Sequence, residues 1–154
     1  MDDFISIEKK RICVQLSSRI LDLISLINDY MHLFEVKDFY TFSSKNERNA
    51  SYKNEYRKFI INSTEPIERI SVSVAEISSL LVMADRDMDS AASERFKDIF
   101  ESYLLFESAF ANYKKETEHM LSIENISVSS LLDGAKKIKL HIENLLDKVK
   151  NTEA

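Results

Sequence analysis

Glycine and proline are almost missing from this sequence: Gly134 and Pro66 are the sole examples of each. Tight turns between strands draw on residues that reach positive φ or preset the chain at a bend. A sheet-rich fold is thereby excluded, as are the glycine-rich loops that cradle phosphates. Cysteine is equally scarce. Cys13 has no partner for an internal disulfide, and at an apolar helix position it serves as a small buried filler, which suits a reducing compartment. Tryptophan is absent. Long apolar runs are absent too: the most apolar stretch, residues 20–27, is interrupted by Asp22 and is too short to cross a bilayer. The amino terminus opens with Asp2 and Asp3 and lacks the basic flank of a secretory signal. These absences lead to the expectation of a cytoplasmic protein with no membrane association.

A basic surplus is also lacking. Lys and Arg number 21 against 26 Asp and Glu, for a net charge of −5. Residues 66–120 hold 11 acidic and 6 basic side chains, so the whole deficit falls in that stretch. Nucleic-acid phosphates require clustered Lys and Arg, which argues against nucleic acid as a partner. An acidic stretch suits a basic protein partner instead.

What is present is helix-forming material. Hydrophobic residues make up 44% and charged residues 31% of 154, a length and balance that fit one folded domain over 1–154. Apolar residues recur at spacings of three and four in four segments, the mark of amphipathic helices. The first stripe is Cys13, Leu16, Ile20, Leu23, Ile27, Tyr30, Phe34. The second is Ile67, Ile70, Val74, Ile77, Leu81, Ala84, Met88. The third is Phe96, Ile99, Tyr103, Phe106, Phe110, Tyr113, Thr117, Met120, and the last is Val128, Leu131, Ala135, Ile138, Ile142, Leu145, Val149. Met88 to Phe96 is a step of eight residues, which puts the second and third stripes out of phase by about 100° of helix rotation. A turn near 87–90, with Ser90 capping the next helix, would fold them into an antiparallel hairpin; a continuous long helix is the alternative. Ser44 followed by Glu47 has capping-box spacing and starts a short helix. Pro66 fits the first turn of the next helix, where a missing N–H costs nothing. Helices are expected at about 3–36, 45–62, 65–87, 90–121 and 127–151. The expected fold is all-α: an antiparallel up-and-down helical bundle of four long helices plus one short peripheral helix. Gly134, inside the last helix, costs about 1 kcal/mol relative to alanine and fits a close approach by a neighbouring helix. Residues 80–83 and 99–106 are apolar nearly all round, so either another helix of the chain or a second subunit in an isologous homodimer must cover them.

Chemistry is harder to find. Asp85, Asp87 and Asp89 alternate as the first ligands of a calcium loop do. The sixth position is Ser90 where glycine makes the turn, and the twelfth is Phe96 where a glutamate closes the cage, so these aspartates read as a solvated acidic corner. Asp29 with His32 and Glu116 with His119 have the spacing found in di-iron bundles, yet they fall off the core stripes, which contain no acidic residue. Glu65 with Glu68, and Asp98 with Glu101, have the one-turn carboxylate spacing by which all-helical nucleotide pyrophosphohydrolases hold magnesium. The plainer explanation is a solvated face. No serine elbow or cysteine–histidine pairing suggests nucleophilic catalysis. The segment after the first stripe brings together Phe39, Tyr40, Phe42, Tyr52, Tyr56 and Arg57, a mix enriched at protein interfaces; the competing reading has these aromatics plugging the bundle end. The sequence thus leads to a non-enzymatic bundle that binds another protein, as an inhibitor, immunity-like factor or regulatory adaptor. Its expected partner-binding residues are those six and Asp85, Asp87 and Asp89, with no metal and no cofactor. A magnesium-dependent pyrophosphohydrolase is the alternative.

Overall fold

The computed structural model describes residues 2–35, 41–43, 50–87, 96–123 and 125–153, with side chains placed for 10–34, 62–84, 96–123 and 126–152. Helix α1 spans Asp2–Glu35, strand β1 Thr41–Ser43, helix α2 Ala50–Asp87, helix α3 Lys97–Ser122, strand β2 Asn125–Ser127 and helix α4 Val128–Glu153. The protein is all-α apart from the two three-residue strands, which pair antiparallel with Phe42 opposite Ile126. This pairing ties the segment after α1 to the segment before α4. Ser127 then caps α4, its hydroxyl accepting the Ser130 N–H at 3.3 Å. At the start of α3, Phe96 occupies the cap position with no side-chain hydrogen bond and is itself fully buried, so burial holds that end. The predicted cap Ser90 lies outside the described residues.

The separate short helix expected at 45–62 is not observed, because the backbone continues from Ala50 through Pro66 to Asp87 as one helix. Proline inside a helix removes one hydrogen bond to the carbonyl four residues earlier, here Asn62, and crowds it, at a cost of about 3 kcal/mol. The hydrophobic phase explains why the helix nonetheless runs on. Tyr52, Tyr56, Phe59, Ser63, Ile67 and Ile70 keep the three-and-four spacing across the proline. A break there would throw two halves of one stripe out of line. No such continuity exists between Met88 and Phe96, and α2 and α3 are separate elements.

Helix α1 packs against both α2 and α4, and α3 packs against α4. Tyr30 near the end of α1, Tyr113 in the second half of α3 and Leu131 in the first turn of α4 meet at one level, so α1 and α3 both run opposite to α4. Arg19 reaches Glu76 at 2.9 Å, while Tyr30, further along α1, shares a cavity with Ile67, earlier in α2. Helix α2 therefore also runs opposite to α1. The core is made by the four stripes. All seven residues of the first and of the last are buried, as are Ile70 to Ala84 of the second and Phe96 to Tyr113 of the third. Side chains that leave water in this way contribute about 1.5–3 kcal/mol each, whereas the half-exposed Arg19–Glu76 pair adds at most about 1 kcal/mol.

One polar feature crosses this interior. The Tyr113 hydroxyl donates to the Leu131 carbonyl at 3.1 Å. A phenol has one hydrogen to give, so the bond between the Tyr30 and Tyr113 hydroxyls has Tyr30 as donor. The rings meet edge to face at 6.1 Å, and Tyr30 meets Phe34 likewise at 4.8 Å. Gly134 makes room for this group. A Cβ at that position would lie 2.6 Å from Cδ2 and 2.7 Å from Cε2 of Tyr113.

The tyrosine pair can be probed in two ways. Gly134→Ala would ordinarily gain about 1 kcal/mol of helix propensity. Here the new methyl meets a ring held by two hydrogen bonds, and a net loss of about 1–3 kcal/mol is expected, measurable by urea denaturation; a gain would show that the ring gives way. Burial drives the hydroxyl pKa values of Tyr30 and Tyr113 upward, with Tyr30 adding to the rise at Tyr113. The folded state then retains these protons at a pH where the unfolded state loses them. Stability should be indifferent to these groups below about pH 10 and fall above it, by about 1.4 kcal/mol per pH unit for each buried tyrosine. Helicity measured through an alkaline titration should show this slope, and Tyr30→Phe should make it shallower.

Candidate functional site: the open face between α2 and α3

Helices α2 and α3 line shared cavities without packing closely on each other. The cause lies in the residues each turns toward the other. On α2 these are Ser71, Ala75, Ser78 and Val82, mostly small, flanking the core residues Val74 and Leu81. On α3 they are Leu104, Glu107, Ala111 and Lys114, beside Tyr103 and Phe110. Small side chains on one wall cannot fill the space that the rings on the other hold open. Three cavities of about 260, 490 and 380 Å³ result, each sharing lining residues with the next, so they form one groove along the helix pair.

The groove changes character along its length. Its upper end has an apolar floor of Ile67, Met120, Leu121, Ile126 and Leu131 and a rim that includes Glu68, Lys114 and Glu118. The Lys114 ammonium stands 5.7 Å from the centre of the Phe110 ring. The lower end is lined by Ser78, Leu81, Val82, Phe100, Tyr103, Leu104 and Glu107, of which Glu107 is the single charge. Val82 and Leu104 form its two lips and are 57% and 59% exposed. The two all-round apolar stretches therefore do lie side by side, with no other helix among the described residues covering them. Met83 and Val72 are exposed on the outer flank of α2, about 100° round the helix from the groove.

Tyr103 is the unusual residue here. It is 6% exposed, and its hydroxyl is buried without a hydrogen-bond partner. Glu107 and Ser78 stand beside it without completing a bond. Its pKa is pushed up to about 12, by burial first and then by the neighbouring Glu107 carboxylate, with Ser78 acting in the opposite sense. A buried hydroxyl left unpaired costs about 1–3 kcal/mol.

Of the residues expected from sequence to bind a partner, Phe39, Tyr40 and Asp89 lie outside the described residues. Phe42 is the middle residue of β1, its backbone register set by Ile126. Tyr52, Tyr56 and Arg57 lie in the first half of α2, and Asp85 and Asp87 in its last turn; the side chains of all six fall outside the description. The groove starts at Ser63 and Thr64, within about two helical turns of Arg57. The carboxylate pairs considered for metals are at the surface. Asp29, His32, Glu116 and His119 are exposed, and so are Asp98 and Glu101. Glu65 is engaged by Arg69 at 2.7 Å. Among the described residues, no three His, Cys, Asp or Glu side chains come close enough to hold a metal ion, and no helix is long and apolar enough to cross a membrane.

The groove itself was missed in the sequence, although a signal existed. Ser71, Ala75 and Ser78 repeat at helical spacing beside the core stripe of α2, and Leu104 stands off the core stripe of α3. Compared with protein-family models, curated proteins and solved structures, the chain matches none.

Replacing Tyr103 by phenylalanine removes the unpaired hydroxyl and keeps the ring. It should stabilise the protein by about 1 kcal/mol in chemical denaturation. A loss of similar size would mean that the hydroxyl has a bonded partner in solution.

Proposed function

We propose that this protein is a non-enzymatic antiparallel up-and-down bundle that acts by binding another protein through its α2/α3 face, in the manner of an inhibitor, immunity-like factor or regulatory adaptor. The carrying observation is the open groove with Val82 and Leu104 exposed on its lips beside an interior of hydrocarbon and paired tyrosines. Exposed apolar side chains around a concavity favour a partner that removes them from water. The reading is supported further by what faces the interior. Among the described residues, the buried ones apart from Ser73 and Ser102 are apolar or aromatic. The backbone of α2 runs on past the upper end of the groove through Arg57, Tyr56 and Tyr52, and past the lower end through Asp85 and Asp87. The proposed contact surface includes these residues together with Phe42 and with Phe39, Tyr40 and Asp89, which lie outside the described residues; the aspartates suit a partially basic partner.

The test compares capture of the native-host partner, identified by mass spectrometry, by the wild-type protein, by the Val82→Ser/Leu104→Ser double variant and by the Tyr52→Ala/Tyr56→Ala/Arg57→Ala triple variant. Both lips are exposed, so the double variant should keep its helicity and lose the captured protein. The triple variant should lose it too; loss of folding there would identify the aromatics as bundle plugs. Retained capture by the double variant, or magnesium-dependent hydrolysis of nucleoside triphosphates abolished by Glu68→Gln or Asp98→Asn, would overturn the reading.

A further inference from the structure

Resting on that reading, we infer that the lower half of the α2/α3 groove receives an amphipathic helix from the partner, with apolar residues between the Val82 and Leu104 lips and a lysine or arginine set against Glu107. Shape argues for a helix. The walls are two antiparallel helices separated by small residues, and such a trough is filled by a convex rod whose side chains recur every three and four positions. A second copy of the same face is the wrong shape: an isologous contact sets a surface against itself, and one trough does not fill another.

Charge argues for a cation. Glu107 is the single charged residue lining the lower cavity. Toward the lower end α3 adds exposed Asp98 and Glu101 against Lys97, and the facing residues 77–84 of α2 carry no charge; Lys114 and Lys115 line the adjoining middle cavity, on the other side of Glu107. An incoming acidic helix would meet uncompensated like charge, whereas a basic one pairs with Glu107 as water leaves. Ser78 and Tyr103 are the other polar residues lining this cavity, and the Tyr103 hydroxyl is unpartnered. A long basic side chain passing between the lips also carries methylenes that cover the apolar wall while its head reaches Glu107.

The experiment uses the full chain and two fluorescein-labelled peptides of about 18 residues, long enough for five helical turns. One has leucine on one face and lysine on the other; in its counterpart every lysine is glutamate. Fluorescence anisotropy should show the leucine–lysine peptide binding at least about tenfold more tightly than the leucine–glutamate one. Glu107→Lys should abolish or reverse that preference. Glu143→Lys, an equal charge change at an exposed site on α4, should leave it intact. Leu104→Ser should weaken binding with helicity unchanged. Equal binding of both peptides, no binding, or an equal effect of Glu143→Lys would overturn the inference. So would a concentration-dependent dimer dispersed by Leu104→Ser in sedimentation, which would make the occupant a second copy. If the peptides fail while the lip double variant still loses the host partner, the binding reading stands and the helical occupant falls.

Discussion

The contact on which the rest of the structure depends is the Tyr113 ring lying on the α4 backbone at Gly134. With no Cβ between them, α3 and α4 come together there, and the ring's hydroxyl reaches the Leu131 carbonyl. Tyr30 completes the arrangement from α1. Three helices are thus fixed in register at one level by a hydrogen-bonded pair inside a hydrocarbon interior. Elsewhere in the core, contacts between Leu, Ile and Val specify proximity without specifying register. A polar pair is different, because a slip of one turn would leave buried hydroxyls unpaired.

The open side of the molecule is complementary to this closed one. Helix α3 directs Tyr113, Phe106 and Ile99 into the shared core, and it is held toward α4. Helix α2 is held by α1, through its own stripe and the Arg19–Glu76 pair. The two are anchored to different partners and present small residues on one side of their gap, so nothing draws them together. Apolar surface and one unsatisfied hydroxyl remain along the seam. Natural interiors satisfy their buried polar groups; among the described residues the hydroxyls of Tyr103, at this seam, and of Ser17, on α1, depart from that rule.

Charge obeys a simple division. Among the described residues, no Asp, Glu, Lys, Arg or His side chain is buried, whereas the titratable side chains of Cys13, Tyr30 and Tyr113 are, and burial raises the pKa values of the two tyrosines.

The stripes were legible because helical periodicity is a local property: apart from Met31, Ile126 and Leu146, the buried hydrophobic positions within each helix repeat at three and four residues. The role of Gly134 could be read for a related reason, since a lone glycine inside a strong helix needs a packing cause. Pro66 misled, because the local rule for proline outweighed the unbroken phase of the residues on either side. The sequence by itself therefore determined an all-helical chain and its apolar faces. Tertiary structure alone decided that Tyr30 and Tyr113 pair, that β1 meets β2, and that α2 and α3 stay apart. Each of these depends on which helices become neighbours and at what register, and that choice is made by long-range shape complementarity, which no periodicity within a single segment encodes.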